Sequence, residues 1–292
     1  MVHSKDQSVG VAHSKKIAVE HLTQPHDWKI SETETLQIPD DHRRIMLRNL
    51  AQKYAVNRIY APKPTLFNGI VCRPGELKKR FLIERDITIY RGKNADGVVV
   101  PRGAGFFVAS ADCPTIVVCD TRHDILIAAH AGLWSLLDKS LVLGIERPRH
   151  EKRPHKSVVG AMMAHLPKHN RGHLEIIITC GIDSPHYVFD PLHPQYGNTN
   201  KRLLAYLDKT YGENTNPRNQ DGKPYLSLKS IIKHQFEAYG IDPHTIHHDG
   251  IDTYSDIDPD GNYKYWSNAR AHNMKKECEI PKRNGVFIVH KR

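Results

Sequence analysis

The sequence predicts a single-domain α/β protein of the layered α+β kind, in which mixed β-sheets are flanked by helices. Three observations support this fold class. Short apolar runs with strand character recur between residues 80 and 130, helical patterns alternate irregularly with later strands, and the chain closes on another apolar run. The irregular order is not typical of a barrel or of a simple doubly wound sheet. A length of 292 residues is sufficient for one large core.

The first half of the chain contains a polar extension, one helix and a series of strands. Residues 1–38 lack sustained periodicity and are predicted to be a loosely ordered N-terminal extension, so that the domain spans residues 39–292. Residues 40–56 have apolar side chains at helical spacing, and Asp40 or Asp41 can cap that helix. Runs rich in branched and aromatic residues predict strands at 80–85, 87–92, 95–100, 105–110, 115–119 and 125–130.

The second half alternates helices with fewer strands. A helix is predicted from the Gly132 turn to about Gly144, and the basic, proline-containing segment Arg147–Lys156 is predicted to be a solvated loop. The remaining predicted helices are 157–166, 200–211 and 227–240, and the remaining strands are 174–180 and 285–291.

Composition limits the classes of partner. The net charge of +10 favours anionic partners such as phosphate or nucleotides, although a general basic bias of the surface would also produce it. Nucleic acid is not favoured, because the basic loop has no interleaved aromatic residues. Neither a signal peptide nor a sufficiently long apolar segment is visible, so we expect no membrane partner. Five cysteines without a CxxC pair favour a reducing, cytoplasmic setting.

Cys113 and His130 are the strongest candidates for chemistry, because each stands at the end of an apolar strand. Pro114 biases Cys113 towards an extended conformation and removes the next amide donor, which suits a strand break facing a cavity. A thiolate and an imidazole supply two of the three protein ligands of a catalytic zinc site. The same pair could instead be a nucleophile and its base. Packing alone would also account for a buried thiol and a hydrogen-bonded core histidine.

The motifs around these residues resemble the laccase-domain family, also called polyphenol oxidase-like or multicopper polyphenol oxidoreductase proteins. NADGVVV, SADCPTIVVCD and AAHAGLW are similar to the family patterns ADALV, TADCxPVLLxD and AAHAGWRG. Weaker similarity follows at TCGIDSPHYVF, YLSLKSIIKHQFEAYGI, DTYSD and YWSNAR, so that the resemblance covers residues 41–290. It implies a layered α/β fold, a mononuclear zinc site of His, Cys and His, and an association with purine nucleoside phosphorolysis and adenosine deamination.

The resemblance also implies roles for residues at the metal. Cys113 and His130 match the family's ligand Cys and one ligand His, and Glu84 aligns with the remaining ligand His. A carboxylate is an acceptable zinc ligand, although Glu84 could equally be a solvated charge at a strand end. Asp112 and Asp96 match family aspartates, and each could orient His130 or a metal-bound water. Copper is less favoured, because one Cys and one His cannot build a multicopper cluster.

Further matches imply contacts with substrate. Ser267 and Arg270 match the family's Ser and second Arg of a SYRR element, and a guanidinium at Arg270 suits a phosphate or ribose contact. A surface ion pair is the alternative for Arg270. His186 stands in place of a family Cys and could make a polar contact with substrate. Trp134 stands where the family has an Arg, and this departure puts phosphorolysis in doubt.

The leading hypothesis is a zinc-dependent enzyme acting on a purine nucleoside and phosphate, by phosphorolysis or deamination, with altered or reduced activity. One alternative is a non-catalytic descendant of the fold that binds a nucleotide or a protein. A second alternative is a metal-free Cys113/His130 hydrolase acting on an amide bond.

Overall fold

A computed structural model describes residues 8–11, 15–23, 42–64, 69–84, 86–147, 154–167, 172–212, 217–274 and 282–292. The strands of this part of the chain are β1 Ser8–Val11, β2 Ile17–Leu22, β3 Arg58–Tyr60, β4 Val71–Cys72, β5 Lys79–Leu82, β6 Thr88–Arg91, β7 Gly97–Val100, β8 Ala104–Ser110, β9 Thr115–Asp120, β10 Ile125–His130, β11 Leu174–Thr179, β12 Ile246–His248 and β13 Asn284–His290. The helices are α1 His42–Lys53, α2 Leu133–Leu136, α3 Lys139–Leu143, α4 Val158–Met163, α5 Gly197–Tyr211, α6 Leu228–Glu237 and α7 Asn268–Asn273.

The strands form two mixed sheets. The seven-stranded sheet has the order β1-β2-β13-β8-β3-β6-β5, and the six-stranded sheet has the order β12-β11-β9-β10-β7-β4. Most neighbouring strands are antiparallel, whereas β3 runs parallel to both β6 and β8, and β11 and β4 are parallel to β12 and β7. The fold class predicted from the sequence is therefore confirmed.

Three apolar clusters show how the layers stack. One lies between the sheets and combines side chains such as Phe106 and Ile288 with Val117 and Leu126 from the opposite sheet. A second packs α1 against the outer face of the seven-stranded sheet, and a third packs α4, α5 and α6 against the six-stranded sheet. Amphipathic helices thus cover the outer faces, and both sheets contribute to a shared interior.

The N-terminal segment differs from its prediction. The expected loose order of residues 1–38 is wrong for Ile17–Leu22, because β2 is buried throughout and pairs with β13 along its whole length. β13 supplies the backbone partners, and this pairing across most of the chain length is invisible to local periodicity. Residues 24–41, including the cap candidates Asp40 and Asp41, lie outside the described residues.

The helix predicted after Gly132 is two short helices rather than one. Leu137 is extended between them, and the Asp138 carboxylate accepts hydrogen bonds from the amides of Ser140 and Leu141, which starts α3. Most of the predicted basic loop, residues 148–153, lies outside the described residues. No helix in the described ranges is both long enough and apolar enough to cross a membrane.

Candidate functional site

Strand register brings Cys113 next to His130. The antiparallel pair β9–β10 places Thr115 opposite His130, and the Ala131 amide extends this ladder by donating to the Pro114 carbonyl at 2.8 Å. Continuing the same register places Cys113 opposite Gly132, one step beyond the paired strands. The crossing from β8 in one sheet to β9 in the other therefore places the thiol at the seam between the sheets.

Gly132 permits the close approach of the thiol and the imidazole. A Cβ on this residue would lie 2.8 Å from Cε1 of His130 and 3.2 Å from Sγ of Cys113. The first distance is shorter than van der Waals contact, so a larger residue would force the two side chains to move. The glycine of the HAG motif is thus explained by space around the Cys–His pair.

His130 is buried and interacts with Asp96 as well as Cys113. Its Nδ1 lies 3.8 Å from Oδ1 of Asp96, which also accepts a 2.6 Å hydrogen bond from Ser135. Burial by itself lowers the pKa of His130, but the interactions with the neighbouring Cys113 and Asp96 outweigh it and raise that pKa to about 9. The raised pKa favours the charged form of the imidazole at neutral pH.

Cys113 and His130 face a cavity of about 600 Å³ at the edge between the sheets. Its walls carry three permanently cationic side chains, Lys63, Arg91 and Arg283, and two further histidines, His186 and His272. We refer to it as the basic cavity. The residues lining it are Ala61, Pro62, Lys63, Pro64, Arg91, Phe107, Val108, Ala109, Ser110, Ala111, Asp112, Cys113, His130, His186, Tyr187, Val188, Asn268, Ala269, His272 and Arg283. Such a concentration of positive charge favours an anionic ligand.

A second cavity of about 500 Å³ adjoins the first at Cys113. Aromatic rings dominate its walls, so we refer to it as the aromatic cavity. The residues lining it are Cys113, Gly132, Leu133, Trp134, Tyr187, Val188, Phe189, Asp190, His193, Tyr196, Thr199, Asn200, Lys223 and His272. The two cavities together form a cleft with the Cys113 thiol where they meet.

Glu84 is not among the residues that line this cleft, and its role as a metal ligand stays a prediction that the cavity linings do not support. β3, β6 and β8 run parallel, so their carboxyl ends share the edge that bears the basic cavity. β5 is antiparallel to β6, so Glu84, which follows β5, lies towards the opposite edge. There its carboxylate accepts a 3.2 Å hydrogen bond from Gln52 on α1.

Lys63 occupies the wall of the cleft that follows β3. Its backbone amide and carbonyl bond to Lys93 and Ala95, immediately before Asp96, and its side chain lines the basic cavity with Cys113 and His130. Lys63 thus adds a cationic residue to the cavity lining that contains Cys113 and His130.

The donor set does not fit the zinc site that the resemblance implies. A catalytic zinc needs three protein ligands, and Cys113 and His130 supply two. Among the residues that the structure describes, no three His, Cys, Asp or Glu side chains are grouped so that they could hold a metal ion.

Asp112 lines the basic cavity, but its carboxylate also accepts hydrogen bonds that hold the C-terminal segment. One carboxylate oxygen accepts from Thr253 Oγ1 and the other from the Ala269 amide, both at 2.9 Å. Burial raises the pKa of Asp112, and those hydrogen bonds oppose the rise. Its predicted part in catalysis gains no support from these contacts, because neither oxygen contacts His130.

Ser267 and Arg270 are not among the residues that line either cavity, and their role in binding substrate stays a prediction that the linings do not support. Ser267 caps α7 by accepting a hydrogen bond from the Arg270 amide. The Arg270 guanidinium is buried, donates to the carbonyls of Thr253, Tyr254 and Tyr265, and lies 3.7 Å from the ring centre of Tyr263. Its donors are therefore used within the protein.

His186 and Trp134 both lie in the cleft. His186 lines the basic cavity, and its ring stacks on Tyr254 at 4.0 Å between ring centres. Trp134 is half-buried in the wall of the aromatic cavity, with Lys139 Nζ 5.8 Å from its ring centre.

Sequence reasoning missed the cationic walls of the site. The cationic residues Lys63, Arg91 and Arg283 lie at the ends of three different strands. None of them lies in a family motif that contains a charged residue. The one usable signal was parallel pairing, since residues that follow the carboxyl ends of neighbouring parallel strands lie at one edge.

The fold and the cleft define a class of layered α/β proteins with two stacked mixed sheets and a Cys–His pair at the seam between them. The chain belongs to the multi-copper polyphenol oxidoreductase laccase family, which matches residues 78–273. No curated protein matches the chain.

Solved structures share this fold over nearly the whole chain. YlmD from Geobacillus stearothermophilus is 16% identical with a TM-score of 0.62, and the match covers 95% of this chain and 93% of that one. The hypothetical protein YfiH from Bacillus licheniformis is 14% identical with a TM-score of 0.58, covering 94% and 92%. A Neisseria meningitidis protein is 13% identical with a TM-score of 0.59, covering 98% and 99%.

Proposed function

We propose that this protein is a purine nucleoside enzyme of the phosphorolytic type, which transfers the ribosyl group of a nucleoside to phosphate in the cleft. The family resemblance implies purine nucleoside chemistry. Phosphate and a purine nucleoside are the small-molecule partners, and we expect a cytoplasmic setting.

The observation that carries the proposal is the placement of the Cys113–His130 pair on a cavity walled by Lys63, Arg91 and Arg283. Phosphate is a dianion near neutral pH, and fixed guanidinium and ammonium groups are its usual protein partners. A cationic wall facing a proton-bearing imidazole suits a reaction between an anionic nucleophile and a leaving group that needs a proton.

The proposed reaction uses residues of this chain for binding, orientation and proton transfer. The cationic wall holds phosphate, and one phosphate oxygen forms a bond to C1′ of the ribose. The bond between C1′ and the purine nitrogen breaks, and its electron pair leaves with the base. His130 donates the proton that neutralises the departing base, and Asp96 orients the imidazole for that transfer.

Zinc and adenosine deamination are less well supported than phosphorolysis. Zinc binding is an expectation from the resemblance, and the donor set described above offers two ligands of the three required. Deamination requires a strongly activated water, which a bound metal commonly supplies. Metal analysis of the purified protein tests this point. A Lys63→His variant, which adds an imidazole to the facing wall, is analysed beside the wild type. Stoichiometric zinc in the wild type, lost in Cys113→Ala, would restore the metal-dependent mechanism.

A second candidate function is a metal-free hydrolase with Cys113 as nucleophile. One observation favours it: His130 lies between Cys113 and Asp96, which is the order of nucleophile, base and orienting group. Rapid alkylation of Cys113, together with release of product from an activated amide or ester, would support this candidate.

The deciding experiment is incubation of the purified full chain with adenosine, inosine or guanosine, with and without phosphate. We expect free base and ribose 1-phosphate to form only when phosphate is present. Inosine formed from adenosine without phosphate would indicate deamination instead. Tyr239→Leu, an exposed aromatic substitution outside the cleft, serves as the matched control. If the folded protein releases no free base from any nucleoside in the presence of phosphate, the proposal is wrong.

A further inference from the structure

We infer that the aromatic cavity is a binding subsite for a planar heteroaromatic ring, with Trp134 as its stacking residue, while the basic cavity binds the phosphate. This inference rests on the proposed function and specifies how the substrate lies in the cleft. The base occupies one compartment, the anion occupies the other, and the bond to be broken lies at the thiol of Cys113 between them.

The walls of the aromatic cavity suit a flat, uncharged ring. Trp134 is half-buried there, and Tyr187 and Phe189 form an edge-to-face pair with ring centres 4.8 Å apart. Packing of this kind fixes the rings before a ligand enters, so stacking costs little side-chain entropy. Every purine base presents a π face to such a wall.

The charges of the two compartments differ in the way a nucleoside and phosphate require. In the aromatic cavity, the Lys223 ammonium lies 3.4 Å from the Asp190 carboxylate, so the two charges oppose each other. In the basic cavity, the lining includes the cationic residues Lys63, Arg91 and Arg283 and one acidic residue, the buried Asp112. An anion is therefore attracted to one side of Cys113 and a neutral ring is accommodated on the other.

The two compartments are continuous at the reactive pair. Cys113, Tyr187, Val188 and His272 line both cavities, so a single substrate can extend from one into the other. A ribose held at this junction would present C1′ near His130, with the base on the side of Trp134. Trp134 thus contributes to binding the base, rather than marking only the loss of the family's arginine.

The test measures binding of two probes, free adenine and inorganic phosphate, to wild type and to two reciprocal variants by calorimetry. Because stacking on an aromatic residue contributes substantially to base affinity, Trp134→Leu should weaken adenine binding about 10-fold or more and leave phosphate binding within about twofold. Lys63→Gln should weaken phosphate binding about 10-fold and leave adenine binding within about twofold. Trp134→Phe, which keeps a ring, should retain most of the adenine affinity.

Thermal unfolding of each variant confirms that it is folded, and Tyr239→Leu controls for loss of an aromatic residue elsewhere. Equal adenine affinity in wild type and folded Trp134→Leu would overturn the inference, as would competition between adenine and phosphate for one site. Failure of wild type to bind adenine would also overturn it. The nucleoside assay is a separate measurement: base release that is unaffected by Trp134→Leu would reject this subsite while leaving the proposed function standing.

Discussion

Two regions of the molecule contain candidate residues from the same family motifs. The surroundings of these side chains differ between the two regions. In the cleft, Cys113 and His130 face open space. Around α7, the polar atoms of Asp112 and Arg270 make hydrogen bonds with other groups of the protein. The comparison shows that a charged residue within a motif indicates function only if its polar atoms remain directed at a cavity.

Two arginines make the contrast concrete. Arg270 is 6% exposed and donates to three backbone carbonyls, so its charge stabilises the turn that precedes α7. Arg283 donates to the carbonyl of its neighbour Lys282 and lines the basic cavity. The family motif predicts a substrate contact at Arg270, whereas the arginine that lines the basic cavity is Arg283.

The largest expected effect is on activity when the reactive pair is altered. His130→Asn should lower kcat/KM about 1,000-fold, because it removes the proton donor while keeping a polar side chain of smaller volume. Cys113→Ser should cause a loss of similar size, because Cys113 is one of the neighbours that raise the pKa of His130. Steady-state kinetics on protein with an unchanged melting temperature measures this. Retention of more than about a tenth of the activity would contradict the role of His130 as acid.

The second-largest effect is expected on stability rather than on activity. Arg270→Met should lower the free energy of unfolding by about 3 kcal/mol, since three buried carbonyls lose their donor. Activity per folded molecule should stay within about twofold of wild type. Arg283→Met is the matched control and should show weaker phosphate binding with little change in stability. Denaturant unfolding combined with phosphate titration separates the two; a large activity loss in folded Arg270→Met would restore Arg270 to the site.

A third prediction uses the charge of His130. Its pKa is raised from 6.5 to about 9, so the imidazolium persists through neutral pH and is lost above about 9. We expect kcat/KM to be level through neutral pH and to fall about tenfold per pH unit above that value. The contribution of this group to stability is likewise complete below 6.5 and lost as pH rises through about 9. A decline in rate with its midpoint near 6.5 would show that the imidazole is not held charged.

The smallest effect is expected at Glu84. Its carboxylate lies towards the opposite sheet edge from Cys113 and meets Gln52 near the surface, so Glu84→Gln should change activity by less than about twofold and stability by less than about 0.5 kcal/mol. The check is to measure the activity and metal content of Glu84→Gln beside those of Glu237→Gln, which changes another partly exposed carboxylate. Loss of a bound metal in Glu84→Gln alone would return this residue to the site.

Much of the fold and half of the site were accessible from local patterns. Apolar periodicity located most strands and the long helices, and the apolar runs containing Cys113 and His130 form a hairpin whose register brings the two together. The short strands β3 and β4 were missed, because two or three residues give too little periodicity. β2 was missed because local hydropathy treats its glutamate and histidine as solvent-exposed. Both are in fact buried against partners that are distant in sequence.

The sequence alone therefore determined the layered fold class, the main strands and the Cys–His pair, because alternation and hairpin register depend on residues close together in the chain. Tertiary structure alone decided which charged residues face the cleft. Lys63 and Arg91 reach the cleft from the carboxyl ends of parallel strands, and Arg283 reaches it from the start of β13, which is antiparallel to β8. The Arg270 guanidinium instead donates to three carbonyls within the protein. The physical reason is that the fate of a charge depends on its desolvation and its partners, and both are set by residues far away in sequence.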